Sequence, residues 1–414
     1  MDFNDTPEEA AFRTEARTWL NANAEPRPED DDADLLGEKL DDASVAWCKD
    51  WQKKKYDAGW AGLTWPKEYG GRGASAIENV IWKQEESKVH TPPEIYGIGL
   101  GMCGPTLMAH GTEEQKKRWL PDMLMGQEVW CQLFSEPAAG SDLAGLRSTA
   151  VRDGDDWVIN GQKIWTTGAQ ICEWGILVVR SDPNAAKHAG LTYFVVNMNA
   201  PGVEIRPITQ INGGQGFNEV FFTDVRIPDS DRIGEVGDGW RVAITTLMNE
   251  RASIGGGGGA GNSSDLLRLA REVEINGRPA IEDPSIRQQI ARFYIRAKGL
   301  QFTGNRTLTA LSRGQTPGPE SSLGKLVGGV LVQDMSEFGI ELAGMAGMMN
   351  DETYSLDKAM WQERFLGIPG LRIAGGTDEI LRNIIAERVL GLPPEVRLDK
   401  GIAFKDIPTG PPSA

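Results

Sequence analysis

The stretch Ser135-Glu136-Pro137-Ala138-Ala139-Gly140-Ser141-Asp142, followed by Asn160-Gly161-Gln162-Lys163-Ile164-Trp165-Thr166-Thr167, decides how this chain is read. A turn of Ala, Gly and Ser lets backbone approach a large planar ligand closely. Downstream, a Trp beside two threonines offers an aromatic face and hydroxyl donors together. For either block alone the plain alternative is a surface turn followed by a core Trp.

The surrounding composition narrows what that ligand is. At 414 residues the chain exceeds the usual size of one hydrophobic core, so two or three domains are expected. Lys and Arg number 43 against 59 Asp and Glu, a formal charge of −16. That balance argues against a nucleic-acid backbone or an anionic membrane surface as the main partner. An anionic substrate would need a local cluster of Arg and Lys against the global field. The acidic run Glu29-Asp30-Asp31-Asp32-Ala33-Asp34 reads as a solvated loop. Cys48, Cys103, Cys131 and Cys172 lie far apart with no CxxC pair, and only three histidines are present, so no metal site is expected and a reduced compartment is. The acidic start Met1-Asp2-Phe3-Asn4-Asp5 reads as neither signal nor transit peptide. No apolar run is long enough to span a bilayer. The expectation is a soluble, cytoplasmic protein.

Periodicity divides the chain. Residues 1–128 read as an N-terminal helical domain: Thr6-Pro7-Glu8-Glu9 supplies a cap, an N1 proline and acids, and Phe12, Ala16, Trp19 and Leu20 recur at helical spacing. Residues 129–236 read as a small β domain of sandwich or barrel type. Its β-rich runs are Trp157–Ile159, Gly175–Val179, Tyr193–Val196 and Glu219–Phe222, separated by turns such as Gly154-Asp155-Asp156. Residues 237–392 read as helical again. Residues 393–414, with Pro393-Pro394 and Pro411-Pro412, read as an extended tail, either mobile or lying on a neighbouring subunit. Two GxGxxG matches, Gly99 to Gly104 and Gly256 to Gly261, fail their context test because neither joins a strand to a helix in a βαβ unit.

The two opening blocks resemble the flavin- and acyl-CoA-contacting segments of the acyl-CoA dehydrogenase family, and the resemblance extends over roughly residues 5–393. The loop Gly59-Trp60-Ala61-Gly62-Leu63-Thr64-Trp65-Pro66-Lys67-Glu68-Tyr69-Gly70-Gly71 resembles that family's inter-helix connection. The resemblance implies an α+β fold with an N-terminal helical domain, a middle β-barrel or sandwich, and a C-terminal four-helix bundle. It also implies FAD held outside a dinucleotide-binding crevice. Leu133 and Ser135 match positions that meet the flavin pyrimidine ring, Trp165 the aromatic beside the isoalloxazine, and Thr167 the hydroxyl on N5; Thr166 belongs to the same cofactor segment. Thr377 and Glu379, opening the last major helix, match positions near the ribityl and pyrophosphate, although the family often has Gln at the latter. A helix-capping acid is the alternative for Glu379. Ser141 matches the residue that contacts CoA.

The implied reaction removes an α-proton and a β-hydride from an acyl-CoA thioester. The α C–H is a weak acid, so a base must sit against it in a dry site. Many relatives use the Glu of a Tyr-Glu-Gly-Thr motif. Here Ala374-Gly375-Gly376-Thr377 aligns with it, so Gly375 stands where that base would be. A branch resembling isovaleryl-CoA and long-chain acyl-CoA dehydrogenases places the carboxylate directly before an Arg on another helix, which matches Glu250-Arg251. On a helix Glu250 shares a stripe with Ala243, Thr246, Ile254 and Gly257; the alternative is an exposed or salt-bridged Glu. Arg251 is expected to assist CoA binding or hold the helix, and the backbone at Gly375 or Gly376 to polarise the thioester carbonyl. The glycine run Gly255 to Gly259 either breaks the helix or leaves room for a bulky or branched acyl chain, a ring-bearing one among them.

Two elements that hold the adenine half of a neighbour's FAD in many homotetrameric relatives are degraded here, aligning with Val273–Gly277 and Glu341–Gly347. This raises a heterotetramer with a paralogue beside the simpler homo-oligomer, a dimer or tetramer using residues such as Arg271 or Arg278. An electron-transferring flavoprotein is the expected acceptor. The competing functions are a non-catalytic partner subunit and an oxygen-using acyl-CoA oxidase or flavin monooxygenase.

Overall fold

A computed structural model describes residues 5–28, 40–256, 263–312, 318, 322–351, 353–396 and 399–408. The acidic run Glu29–Asp34, the glycines from Gly257 onward in the glycine run, and Pro411-Pro412 lie outside the described residues.

In chain order, helices α1 (Pro7–Asn23), α2 (Asp42–Asp57), α3 (Ala76–Glu86), α4 (Gly104–His110) and α5 (Glu113–Met125) precede the sheet. The sheet strands are β1 (Trp130–Leu133), β2 (Thr149–Asp153), β3 (Asp156–Thr167), β4 (Trp174–Arg180), β5 (Leu191–Asn197), β6 (Val203–Ile208), β7 (Phe217–Pro228) and β8 (Arg232–Ile233). There follow α6 (Gly239–Gly256), α7 (Ser263–Glu272), the short strands β9 (Glu274–Ile275) and β10 (Arg278–Pro279), α8 (Pro284–Ser312), α9 (Ser322–Ala343), α10 (Met360–Leu371) and α11 (Asp378–Arg388). The helical–β–helical order is that of an α+β protein. Capping boxes at Thr6 with Glu9, Ser75 with Glu78 and Thr112 with Gln115 satisfy the first backbone N–H groups of α1, α3 and α5.

The described residues form two compact units. One comprises residues 37–74, 92–251 and 395–414. Its eight-stranded sheet runs β6-β7-β3-β2-β4-β5-β8, with β1 added parallel to β4. Both faces of the central strands are buried. Ile176 and Val178 of β4 and Tyr193 and Val195 of β5 pack with Trp119, Met123, Leu124 and Trp130. Leu177, Val179, Phe194 and Val196 face the other way, toward Trp157, Ile159, Val220 and Phe222. Burial on both faces explains why these strands read as unbroken apolar runs rather than alternating ones. Gly99–Cys103, the first glycine-rich match, is a π-helical turn leading directly into α4, so no strand precedes it.

The C-terminal segment is folded onto this unit. Phe404 N–H donates to Ala185 O at 2.9 Å and Lys405 N–H to Pro183 O at 3.0 Å. Phe404 itself is buried.

The other unit comprises residues 1–36, 75–91 and 252–394. Its core gathers Leu266, Leu269, Phe293, Leu331, Met335, Leu342 and Trp361 from α7, α8, α9 and α10. In the same unit α1 packs on α3, where the buried Glu85 takes Arg17 at 2.9 Å, Arg13 at 3.0 Å and Lys88 at 2.8 Å. These three cations, with Arg17 contributing most, hold the Glu85 carboxyl down to about 2. Among the described residues no helix is long and apolar enough to cross a membrane.

Close packing at Gly104 yields a stability prediction. A Cβ there would lie 2.1 Å from Cζ2 of the buried Trp65, whose indole N–H is committed to Leu100 O at 2.9 Å. Gly104→Ala should destabilise by about 1–3 kcal/mol through overpacking. Gly299→Ala on α8, where nothing lies within 4 Å of the added methyl, should stabilise by roughly 0.5–1 kcal/mol through helix propensity. Urea unfolding of the two variants checks both signs.

Candidate active site

The two opening sequence blocks meet in the sheet-containing unit. β1 delivers Leu133 and runs into Ser135, and Ile164 N–H on β3 donates to Ser135 O at 2.9 Å. A buried ion pair sits beneath this junction. Lys163 Nζ, fully buried on β3, donates to Glu136 Oε1 at 2.8 Å and to Phe134 O at 3.0 Å. The Glu136 carboxylate also accepts from Arg147 N–H at 2.6 Å and Ser148 N–H at 3.0 Å. Burial alone would raise the Glu136 carboxyl. The Lys163 charge and these hydrogen bonds outweigh it and hold the group below the ordinary carboxylate value. Burial lowers the Lys163 ammonium in turn.

Beyond Lys163 the strand carries a β-bulge. Lys163 pairs with Val220 of β7, but Thr166 pairs with Asn218, with a register shift between them. Trp165 occupies the extra position with φ +60°, a left-handed conformation rare for a bulky residue. Strict alternation from the inward-facing Lys163 would turn Trp165 and Thr167 into the core. The bulge reverses this: Trp165 is 56% exposed and Thr167 is exposed, while Thr166 is buried. Asn218 Nδ2, also buried, holds Thr166 O at 3.1 Å. Thr166 thus presents only its backbone on the side where Trp165 and Thr167 are exposed. Its hydroxyl turns inward and has no hydrogen-bond partner among the described residues. Leu133 is buried with its side chain against Gly175. Ser135 is half-buried, and Ser141 is exposed at the turn.

Glu250 lies on α6 in the same unit, half-buried, with Gln132 Nε2 of β1 3.4 Å from its Oε2. One turn earlier Thr246 is locked into the core, its Oγ1 3.0 Å from both Thr106 Oγ1 and Tyr193 OH. Ala243 and Thr246, the first members of the Glu250 stripe, are fully buried. Of the remaining members, Gly257 lies outside the described residues, as do the side chains of Ile254 and Arg251.

Gly375, Gly376, Thr377 and Glu379 belong to the other unit. Gly375 and Gly376 have φ of +62° and +93°, backbone that a side chain would strain. A Glu at 375 would thus need a different loop, not merely a longer residue. Lys325 Nζ donates to Gly376 O at 2.5 Å, and the buried Asp378 holds Arg372 Nε at 2.7 Å. Thr377 is the N-cap of α11, its Oγ1 accepting from Ile380 N–H at 3.2 Å. Glu379 is exposed in the first turn, 3.7 Å from Arg382, as a helix-terminal acid. The segment Val273–Gly277 contains a hairpin turn: Asn276 and Gly277, at φ +54° and +75°, join β9 to β10. Glu341–Gly347 is the end of α9 and a 3₁₀ turn.

Family models of the acyl-CoA dehydrogenase N-terminal, middle and C-terminal domains match residues 6–127, 131–225 and 237–390. The chain belongs to the acyl-CoA dehydrogenase family. It is 39% identical over 404 residues to the acyl-CoA dehydrogenase IpdE1 of Mycolicibacterium smegmatis, covering 93% of this chain and 98% of that one. It is 40% identical over 340 residues to FadE34 of Mycobacterium tuberculosis, 81% of this chain but only 45% of that longer protein. Among solved structures, the Tcur3481-Tcur3483 steroid ACAD superimposes with a TM-score of 0.81 at 30% identity, over 95% of this chain and 100% of that one. The ChsE4-ChsE5 complex from Mycobacterium tuberculosis gives 0.79 at 29%, over 95% and 100%.

As an acyl-CoA dehydrogenase the chain takes FAD, and its residues fit that cofactor. An exposed indole, the Thr167 hydroxyl and the half-buried Ser135 lie along two segments tied by the Ile164–Ser135 hydrogen bond. Sequence reasoning did not single out Glu136, Lys163, Gln132, Asn218 or Lys325 as contributors. A signal existed for the first two, since Lys163 interrupts a β-rich run and Glu136 interrupts an otherwise uncharged turn.

The buried pair sets a pH-dependent prediction. Glu136→Gln leaves the Lys163 charge without its carboxylate and should cost about 3–5 kcal/mol at neutral pH. Because the folded-state Glu136 value lies below the unfolded one, its contribution is complete above the ordinary carboxylate range. It is lost as pH falls through the folded value. The stability gap between wild type and variant in urea unfolding should therefore narrow in acid.

Proposed function

We propose that this acyl-CoA dehydrogenase oxidises an acyl-CoA thioester to its enoyl-CoA, with Glu250 as the base that takes the α-proton. The observation that carries this reading is the placement of Glu250. Its carboxylate lies against Gln132, one residue before Leu133 on the strand that leads into the Ser135 turn. The Thr246 hydrogen bonds pin α6 one turn earlier and so limit how far Glu250 can swing. Gln132 Nε2 can donate to the carboxylate in its proton-accepting form and orient one oxygen. Bound FAD supplies the acceptor for the β-hydride. The Trp165 face, the Thr167 hydroxyl and Ser135 hold and orient it. Ser141 meets the CoA moiety, and Arg251 serves CoA binding or the helix. For the other unit, resemblance to the family assigns a thioester-carbonyl role to the backbone N–H groups at Gly375 and Gly376 and a ribityl and pyrophosphate role to Thr377 and Glu379. Electrons leave to a separate flavoprotein acceptor.

The acyl group we assign is bulky and ring-bearing. Two observations support this: the side-chain-free run after Glu250, and the similarity to a structure named a steroid ACAD. Glu250→Gln should lower kcat roughly 10²–10⁴-fold, the usual contribution of a positioned base, with FAD per chain unchanged. Flavin bleaching by ring-bearing acyl-CoAs should exceed that by straight-chain ones. Full turnover in the variant removes Glu250 as the base, and a straight-chain preference removes the acyl assignment.

A second reading concerns assembly: this chain pairs with a different dehydrogenase-like subunit. It is supported by the ChsE4-ChsE5 complex among similar structures and by the hairpin at Val273–Gly277, where many relatives carry an adenine-binding element. Expressed alone, the chain should then purify with well under one FAD per polypeptide. Close to one FAD per chain, measured by flavin absorbance on the purified protein, establishes a self-sufficient homo-oligomer instead.

A further inference from the structure

The C-terminal segment closes over the loop that carries Ser141. Lys187 Nζ, mostly buried, donates to Asp142 Oδ2 at 2.7 Å and to Asp399 Oδ2 at 3.0 Å, so one ammonium joins the loop to the tail. Ala403 forms an antiparallel bridge with Ala186, flanked by the Phe404–Ala185 and Lys405–Pro183 backbone hydrogen bonds. The Phe404 ring covers the Arg180 guanidinium, with Cζ 3.3 Å from the ring centroid, and Arg147 Cζ lies 5.4 Å from it. Beneath the ring Arg180 donates to Ala144 O at 2.6 Å, Leu146 O at 3.2 Å and Lys187 O at 3.1 Å. Arg180 is 3% exposed, and it forms no ion pair among the described residues. Its partners are carbonyls on both loops and the tail's aromatic face.

We propose that residues 399–408 are a strap that sets the shape of the Ser141 loop for the acyl-CoA substrate, with Asp399 and Phe404 as its positioning residues. The proposal rests on the reading that Ser141 meets CoA. The loop's near end is already fixed by Glu136 on Lys163, and its far end by Arg180. The strap supplies the remaining side. It holds Asp142 through the shared Lys187 and keeps water from the Arg180–carbonyl bonds. A desolvated guanidinium under an aromatic face is held more strongly than an exposed one. With the loop ordered in advance, substrate binding does not carry the entropy of ordering it. Loss of the strap therefore weakens binding of ground state and transition state alike.

The test uses Phe404→Ala and Asp399→Asn in the full-length holoenzyme. Phe404→Ala should raise KM for the acyl-CoA roughly three- to tenfold while kcat stays within about twofold, the pattern of lost uniform binding. Asp399→Asn should shift KM in the same direction by less, and Phe404→Trp should restore it. FAD per chain should be unchanged in all three. Hydrogen exchange supplies an independent readout: amides at 141–147 should exchange faster in Phe404→Ala than in wild type. Unchanged KM in both loss variants overturns the strap. So does faster exchange confined to 399–408 with 141–147 unaffected. If wild type turns over no acyl-CoA, the functional reading fails, and the exchange data alone still decide whether the tail orders the loop.

Discussion

The Lys163–Glu136 pair is the constraint on which the placement of the Ser135 turn and the Trp165 bulge depends. An ammonium with no solvent exposure has to be answered by a carboxylate, and that carboxylate has to have its remaining lone pairs filled. Glu136 achieves this with Lys163 and two backbone N–H groups, at Arg147 and Ser148. Lys163 and the adjacent pair Arg147 and Ser148 come from separate parts of the chain, so satisfying one charge fixes the turn, strand β3 and the approach to β2 together. Such a pair adds little stability over a well-packed apolar core. What it adds is a single geometry, because any other arrangement leaves a buried charge unanswered. Ser135 and Trp165 inherit their relative placement from it.

The same logic extends outward to the tail. The chain is strongly acidic as a whole, yet Arg147, Arg180 and Lys187 gather around the Ser141 loop and the tail. Arg180 is buried against carbonyls and a ring, and burial brings its guanidinium down to about 10, so it remains charged at neutral pH. A cationic neighbourhood beside an acidic surface is what an anionic thioester requires. Global charge argues against a nucleic-acid backbone or an anionic membrane surface as the main partner, but it carries no information about where the cations meet.

Much of the fold was legible in the sequence. The runs at 157–159, 175–179, 193–196 and 219–222 lie in β3, β4, β5 and β7, because β-branched and aromatic residues bounded by turns have few other fates. β6 escaped notice since Val203–Ile208 mixes Glu204, Arg206 and Pro207 with its apolar residues. The proline pairs of the tail suggest extended chain, and its apolar anchor, Phe404, gives no periodic signal of its own. Its partners, Ala185 and Arg180, are remote in sequence, so no local pattern could announce them. At Gly375 the sequence shows a glycine where the family resemblance would put a carboxylate, while the left-handed backbone there suits glycine.

The sequence by itself determined the helical–β–helical order, the resemblance to the family, and the residue types of the two opening blocks. It also determined that glycine stands at 375 and that Glu250 precedes an Arg on a helix. All of these are local properties, carried by short windows of residue type and spacing. Tertiary structure alone decided which way Trp165, Thr166 and Thr167 face. Side chains in a strand alternate with period two, so one extra residue between Lys163 and Thr166 exchanges inside for outside. The bulge exists only in the pairing of β3 with β7, and Glu250 meets Gln132 only because α6 packs by β1. Contacts between distant segments, not the segments themselves, set these outcomes.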